Sequence, residues 1–325
     1  MIALALAITV ASVPARVAEV AAKAGFAGEI LVGRGDRVIL DRGYGTVAPG
    51  AGGRRHRAGA TWRLASITKQ VTAALLLKDG FASLDKPVKR VDDEPLDGPT
   101  LNVTLRQLLT HHSGLPNPDT TPPTPTGVPS YYQRATTHLG FCLSRPAVPG
   151  SDFSYNNCDY IVATAELGGI ASWPAGMRMA RAGEMGIAGF VAGKPEPHYE
   201  LASFGAAGGL MGSARAVFNF DRKLMTGKLL SPAARAELWK PEGGRSYQAL
   251  GQWVFPGQLK GCASPKRIVQ RDGEIGGVQT RNYILPDDDL AVVVFTNRGP
   301  DDFAIGEIWQ GKGFAYDLLS AVACS

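Results

Sequence analysis

Apolar and polar positions along the chain predict β-strands near both ends. Residues 28–45 read as a hairpin, because two β-rich runs flank the turn residues 33–36. Four more short runs with strand character follow late in the chain: residues 247–255, 267–271, 280–285 and 290–296. A proline and three aspartates at 286–289 predict a tight turn between the last two runs.

Helical patterns fill much of the chain between these strands and recur at its end. Ser66 precedes an apolar helix that ends near residues 79–80. Further helices are predicted at residues 104–110, 131–139, 157–167, 213–225 and 305–323. Thr104 and Ser213 are suitable N-caps for two of them. Segments rich in glycine, proline or alanine carry no assigned element: residues 48–60, 116–129 and 168–208.

Strands at both ends with helices between them predict an α+β fold arranged as an α/β sandwich. An antiparallel sheet built from both termini is expected to be flanked by helices, with a mainly helical region inserted between its strands. The sheet region is expected at residues 16–84 and 240–325, and the helical region at residues 85–239.

The first fifteen residues are apolar, carry no charged side chain and end in small residues. The stretch is too short to span a membrane, and it reads as a secretory signal segment over residues 1–15. It therefore predicts an exported protein, either periplasmic or secreted. The alternative is a helical N-terminal segment that packs on the fold and extends through residues 16–24.

The four cysteines bear on the same question. Their spacing fits no zinc pattern, and an even number in an exported protein suggests disulfides. We expect Cys142 to pair with Cys158, and Cys262 with Cys324. The alternative is four separate buried thiols.

Composition is that of an ordinary soluble enzyme of 325 residues, with 45% hydrophobic and 19% charged residues. The net charge of +5 comes from scattered basic residues without a nucleic-acid motif, so nucleic acid is not an expected partner. No stable membrane insertion, cofactor or metal is expected either. His111 and His112 lack the spaced carboxylates of a metal site, so structural hydrogen bonds are the better explanation for them. The expected partner is a small-molecule or peptide substrate, and the oligomeric state stays open.

Ser66 and Lys69 carry the most chemical information. They lie three positions apart where a small-residue run turns into an apolar helix, so the amine can reach the hydroxyl. A serine becomes nucleophilic when a neighbouring base takes its proton, and burial favours a lysine that has lost its own. The helix N-terminus adds N–H groups where an oxyanion would form. Taken alone the pair is a weak signal, because a helix cap and a surface lysine would look the same.

Two further segments strengthen the signal. Tyr155 and Asn157, one residue apart, precede a predicted helix, and Arg271 leads through Gly273 to the glycines 276–277 and a strand. Tyrosine or serine, one residue, then asparagine is the second element of penicillin-recognising serine hydrolases, and a basic residue followed by glycine on a strand is the third. The structural alternatives are a core tyrosine, a helix cap and a surface cation.

With these three elements in order, the chain resembles the serine β-lactamase and penicillin-binding-protein superfamily. It is most similar to the branch that holds class C β-lactamases, DD-peptidases, D-aminopeptidases and related esterases. Residues 108–115 resemble that branch's LLTHTSGL segment, residues 153–157 its FSYSN segment, and residues 207–215 its AGGLxSTAxD segment. The resemblance covers roughly residues 25–300, and it implies the β-lactamase/transpeptidase-like version of the predicted fold.

The resemblance also implies roles for the residues that match. Ser66 would be the acylated nucleophile, and Lys69 its partner in proton transfer. Tyr155 would stand for the tyrosine whose phenolate moves protons between the nucleophile, the leaving group and water. A phenol titrates near 10, so it works near neutral pH only if cations such as Lys69 and Arg271 hold its pKa down.

The substrate-binding residues follow from the same resemblance. Asn157 would bind the substrate's amide carbonyl and orient Lys69. Arg271 would replace the usual lysine or histidine beside a substrate carboxylate. The oxyanion hole would use the backbone N–H of Ser66 and that of Glu274, just after Gly273.

Two departures from the family pattern affect the expected substrate. Glu274 stands where a small residue is usual, and the interval from Tyr155 to Arg271 is short for a class C β-lactamase. Both argue against efficient β-lactam hydrolysis. The expected function is that of a serine hydrolase that forms an acyl-enzyme with an amide or ester, such as a β-lactam, a D-amino-acid peptide or a small ester. The alternatives are a carboxylesterase of the same fold and a non-catalytic envelope ligand-binding protein.

Overall fold

The computed structural model describes residues 12–50, 52–88, 101–243 and 246–324. Most of the predicted signal segment, residues 1–11, thus lies outside the described residues. Helix α1, Val13–Ala24, buries Val17 and Ala21 and packs against the C-terminal helix. Residues 13–24 therefore form a packed N-terminal helix, which was the alternative to a secretory signal segment in the sequence-based prediction.

The strands lie mainly in the two ends of the chain, as the sequence predicts. In chain order they are β1 Gly28–Arg34, β2 Arg37–Tyr44, β3 Trp62–Arg63, β4 Met177–Met179, β5 Phe190–Val191, β6 Lys194–Pro195, β7 Leu210–Gly212, β8 Gln248–Ala249, β9 Gln252–Gly257, β10 Lys266–Ile275, β11 Val278–Leu285 and β12 Leu290–Thr296. Seven of them form one sheet in the order β2-β1-β12-β11-β10-β9-β8. Every pair in that sheet is antiparallel, which confirms the predicted α+β fold.

Helices cover both faces of this sheet. After α1 they are α2 Ile67–Gly80, α3 Leu105–Leu109, α4 Leu139–Cys142, α5 Asn157–Glu166, α6 Gly205–Gly208, α7 Ala214–Met225, α8 Pro232–Leu238 and α9 Phe314–Ala323. The predicted N-caps are confirmed: Thr104 forms a capping box with Gln107, and the Ser213 side chain accepts the N–H of Ala216. Such caps satisfy N–H groups that have no partner inside the helix.

The central sheet is buried on both faces, and side chains alternate between two apolar layers. On β1, Leu31 belongs to the layer that contains residues of α2, α5 and α7, while Ile30 and Val32 belong to the layer with α1 and α9. The first layer combines residues of the predicted sheet region with residues of 85–239. The predicted boundaries between those two regions stay a prediction.

Three predicted elements differ from the structure. Residues 131–139 form only a short 3₁₀ turn, Ser130–Gln133, before α4 begins, and threonines at 136 and 137 are poor helix formers. The predicted helix over 305–323 is shortened to α9, because Gly306, Gly311 and Gly313 take positive φ angles. The predicted strand over 247–255 is divided into β8 and β9 by a turn at residues 250–251.

Both predicted cysteine pairs are confirmed as disulfides. Cys142–Cys158 joins α4 to the first turn of α5, with Cα atoms 5.3 Å apart. Cys262–Cys324 joins the segment after β9 to the end of α9, with Cα atoms 4.8 Å apart. Within the described ranges, no helix combines the length and the apolar character needed to cross a membrane.

Candidate active site

Ser66 lies in the sharp turn between β3 and α2. The preceding residue, Ala65, has a φ of +46°, a left-handed conformation that is costly for a residue with a side chain. The N–H of Ile67 closes the turn on the carbonyl oxygen of Leu64, at 3.1 Å. This turn leaves Ser66 partly exposed while its neighbours on both sides are buried. Backbone strain is thus concentrated next to the predicted nucleophile.

The Ser66 hydroxyl contacts the two side chains that the sequence assigns to proton transfer. Its Oγ lies 2.6 Å from Tyr155 Oη and accepts from Lys69 Nζ at 3.2 Å. The turn before α2 and the segment before α5, 89 positions apart, therefore meet at one oxygen. A hydroxyl held between a phenol and an amine is the arrangement that activates a serine.

Lys69 is fully buried beneath the nucleophile. Its Nζ donates to Asn157 Oδ1 at 2.5 Å and to the carbonyl oxygen of Ala207 at 2.8 Å. Burial lowers the pKa of Lys69, and the charge of Arg271 lowers it further, although Tyr155 opposes the shift. The predicted contact between Asn157 and Lys69 is therefore present, and the amine gives up its proton more readily than an exposed lysine would.

Arg271, on β10, reaches the same centre from the opposite side. Its Nη2 donates to Tyr155 Oη at 2.7 Å, and its Nε donates to the carbonyl oxygen of Ser66 at 2.9 Å. Burial alone would raise the pKa of Tyr155, but the charges of Arg271 and Lys69 bring it below its ordinary value. Both cations that the sequence proposed for this purpose are thus in contact with Tyr155.

The guanidinium of Arg271 is only 1% exposed and lies behind Tyr155. Among the residues that the structure describes, none makes a hydrogen bond to its Nη1 atom. Its predicted role beside a substrate carboxylate stays a prediction, because the side chain reaches Tyr155 and Ser66 rather than the cavity wall.

Gly273 and Glu274 follow on the part of β10 that runs past the nucleophile. A Cβ atom at Gly273 would lie 2.7 Å from the backbone nitrogen of Ser66, so only glycine fits there. Strand β11 pairs with β10 as far as Ile275, whereas β9 pairs with β10 only over Lys266–Gln270. The Glu274 side chain is exposed and lines the cavity beside Ser66.

A cavity of about 470 Å³ opens beside Ser66. Its wall includes predicted residues, Tyr155 and Asn157, and others that the sequence did not single out, such as Asp119, Tyr132 and Trp253. Asp119 and Pro129, from the segment 116–129 that carries no predicted element, form part of this wall.

Tyr132 is the most important of the residues that the sequence analysis missed. Its hydroxyl accepts from Asn157 Nδ2 at 2.7 Å and donates to the carboxylate of Asp119. Asn157 is thereby held between Tyr132 and Lys69. The adjacent tyrosines 131 and 132 beside a proline-rich segment were the available signal, but the predicted helix over 131–139 concealed it.

His111 confirms the expectation of a structural hydrogen bond. Its Nδ1 lies 2.8 Å from Asp159 Oδ2 and accepts the N–H of Asn156 at 3.2 Å. Burial lowers the pKa of His111 well below its usual range and raises that of Asp159 well above it. Burial therefore favours the uncharged form of both side chains. Across the described part of the chain, no three His, Cys, Asp or Glu residues are grouped to hold a metal ion.

Comparison with known proteins identifies a family model and similar folds. The beta-lactamase family model matches residues 15–311 of the chain. A search of curated proteins finds no match.

Three solved structures illustrate the shared fold. The D-amino acid amidase from Ochrobactrum anthropi SV3 with bound D-phenylalanine has 18% identity and a TM-score of 0.70, over 97% of this chain and 100% of the amidase. The penicillin-binding protein from Bacillus halodurans has 20% identity and a TM-score of 0.63, over 94% of this chain and 98% of that protein. The beta-lactamase/D-alanine carboxypeptidase from Pseudomonas syringae has 16% identity and a TM-score of 0.66, over 95% and 98%.

Proposed function

Because the chain belongs to the beta-lactamase family, we propose that it is a serine hydrolase that forms an acyl-enzyme on Ser66. One observation carries the proposal: Ser66 Oγ lies within hydrogen-bond distance of both Tyr155 and Lys69 at the edge of a cavity. Arg271 holds the phenol and the backbone of the nucleophile together from behind.

Acylation follows from this geometry. Ser66 Oγ attacks the carbonyl carbon of the substrate while its proton passes to the Tyr155 phenolate. The negative charge that develops on the carbonyl oxygen is held by the N–H groups of Ser66 and Glu274. Tyr155 then returns the proton to the leaving nitrogen or oxygen as its bond to the carbonyl breaks. The acyl group remains as an ester on Ser66.

Deacylation uses the same groups in reverse. A water molecule gives a proton to Tyr155 and attacks the ester carbonyl, and Ser66 recovers a proton as the carboxylic acid leaves. Lys69 and Arg271 stabilise the phenolate at both stages. Arg271 donates a hydrogen bond to the phenol oxygen, and the amine of Lys69 lies over the phenol ring. Asn157 binds the amide carbonyl of the substrate and keeps Lys69 in place.

The substrate is an amide or an ester: a β-lactam, a D-amino-acid peptide or a small ester. Two of the structural relatives, an amidase and a carboxypeptidase, support amide cleavage. A carboxylesterase is the second candidate, since the same acyl-enzyme chemistry applies to esters. A ligand-binding envelope protein without activity is the third, and it predicts no covalent adduct.

Export to the periplasm or the medium is part of the proposal. The two disulfides support it, since such bonds persist in oxidising compartments. The predicted signal segment over residues 1–15 would direct the export.

The proposed function is tested by locating a covalent adduct. The protein is incubated with a fluorescent penicillin and with a fluorophosphonate, digested and analysed by mass spectrometry. We expect an adduct on Ser66 with at least one probe, and none in Ser66→Ala. Folded protein that reacts with neither probe would favour the binding protein instead. Turnover of nitrocefin, a D-Ala-D-Ala peptide and p-nitrophenyl acetate then separates a β-lactamase, a peptidase and an esterase.

A further inference from the structure

The wall of the Ser66 cavity is acidic. Asp119, Asp272 and Glu274 line it, whereas none of the described residues that line it is a lysine or an arginine. The two cations of the site, Lys69 and Arg271, are 0% and 1% exposed. A bound substrate therefore meets carboxylates at the surface, with the basic groups buried underneath.

Glu274 is the carboxylate with the greatest freedom to meet a ligand. Its side chain is exposed, and it makes no hydrogen bond or ion pair with any described residue. Partial burial raises its pKa, and the negative charges of Asp272 and Asp301 raise it further, although Arg281 opposes them. The acidic groups thus repel one another, and a bound cation would relieve this repulsion.

The other two carboxylates are held in fixed positions. Asp272 accepts the indole N–H of Trp253 at 2.9 Å, and Asp119 accepts the hydroxyl of Tyr132. Burial alone would raise the pKa of Asp272, but the charges of Arg271 and Arg281 bring it below its ordinary value. Asp272 therefore keeps its negative charge at neutral pH.

Aromatic side chains complete the wall. Tyr199, Phe204 and Trp253 line the same cavity as the carboxylates, and Phe204 stacks on Tyr132 with ring centroids 4.0 Å apart. Aromatic faces attract cations and bury apolar groups. The cavity therefore suits a ligand that combines a positive charge with an apolar or aromatic side chain.

Building on the proposed function, we propose that the site selects acyl groups that carry a free ammonium group, as in amino acid amides and esters, over acyl groups that carry a carboxylate. A carboxylate in the cavity would face Asp272 and Glu274, while Tyr155 covers Arg271. This is the opposite of the preference that a carboxylate-binding Arg271 would give.

The test is a charge series on one scaffold. The three substrates are phenylalanine p-nitroanilide and its N-acetyl and N-succinyl forms. They share the leaving group and the side chain. The group near the scissile bond is positive in the first, neutral in the second and negative in the third. We expect kcat/KM to fall in that order by about tenfold or more at each step, for the preferred enantiomer. If none of them turns over, phenylalaninamide and its N-acetyl and N-succinyl forms are compared as protectants of Ser66 against the fluorophosphonate.

Glu274→Gln and Glu274→Lys identify the source of the preference. The ratio of kcat/KM for the free-amine substrate to kcat/KM for the N-succinyl substrate should fall about three- to tenfold in the glutamine variant. It should fall further in the lysine variant. Asp287→Asn is the matched control, because it removes one negative charge from an exposed ion pair with Arg267 outside the cavity wall. It should leave the ratio unchanged.

Each outcome decides a separate point. Hydrolysis or protection with equal or reversed charge preference would overturn this inference and leave the serine hydrolase intact. A preference that both Glu274 variants leave unchanged would also overturn it, because the selectivity would then have another source. Absence of any adduct on Ser66 would overturn the proposed function and this inference together.

Discussion

The phenol of Tyr155 lies beside two basic side chains, Lys69 and Arg271. Arg271 and Lys69 lower the pKa of its phenol against the opposing effect of burial. The sequence could identify all three residues, because each belongs to a short motif with fixed spacing. It could not show that Arg271 lies behind Tyr155, since that depends on how β10 is placed against the turn before α2.

Replacing Arg271 tests this dependence through pH. In the proposed mechanism Tyr155 must be unprotonated to accept the Ser66 proton, so a lowered pKa of its phenol would extend activity to lower pH. Arg271→Gln removes one of the lowering charges, and we expect the acidic limb of the kcat/KM profile to move to higher pH. Activity at neutral pH should fall at least about tenfold and recover partly in alkaline buffer.

Two variants control this experiment. Arg267→Gln, on the same strand but in an exposed ion pair with Asp287, should leave the profile unchanged. Arg271→Lys keeps the positive charge, so it should shift the acidic limb of the kcat/KM profile less than Arg271→Gln does. If Arg271→Gln lowers activity equally at every pH, its role is geometric rather than electrostatic.

At the scale of elements, local signals predicted the helices that carry the site. α2, α5 and α7 have apolar faces or caps that can be read from neighbouring residues. Local signals did not predict the wall of the cavity, because residues 116–139 fold around side-chain contacts such as that of Tyr132 with Asn157. Such contacts join distant parts of the chain and leave no periodic pattern.

The Cys142–Cys158 disulfide is positioned to support Asn157, the residue immediately before it. It closes a loop of 16 residues between α4 and α5. The double variant Cys142→Ala/Cys158→Ala should lower the free energy of unfolding by about 3 kcal/mol in denaturant titrations. It should also slow acylation of Ser66, because Asn157 holds Lys69 at 2.5 Å.

The second disulfide provides the matched control for this prediction. Cys262→Ala/Cys324→Ala removes a bond on the face of the sheet opposite the site. It should lower stability and leave the acylation rate unchanged. Equal slowing by both double variants would show that general destabilisation, rather than the position of Asn157, controls the rate.

At the scale of the whole molecule, helices α1 and α9 cover the sheet face opposite Ser66. α1 and α9 pack together, and Arg16 Nε donates to the carbonyl oxygen of Ala321 at 2.7 Å. The sequence predicted a sheet from both termini because strand patterns occur at both ends. It did not predict this pairing of helices, which depends on contacts about 300 positions apart.

Truncation tests the contribution of α1. The reference is a protein that begins at residue 12, where the described residues start. One that begins at residue 25 loses the buried Val17 and Ala21, and its free energy of unfolding should fall by about 2 kcal/mol or more. Thermal unfolding by circular dichroism measures both, and unchanged stability of the shorter protein would show that α1 is dispensable.

The double contact of Arg271 fixes the backbone of Ser66 relative to the hydroxyl of Tyr155. One planar guanidinium joins the main chain at Ser66 to the oxygen of Tyr155, so neither can shift without breaking a bond to it. New substrates must then be accommodated elsewhere, at side chains such as Glu274 that share no bond with this unit. Diversification of the pocket is thereby separated from the fixed distances on which the proposed chemistry relies.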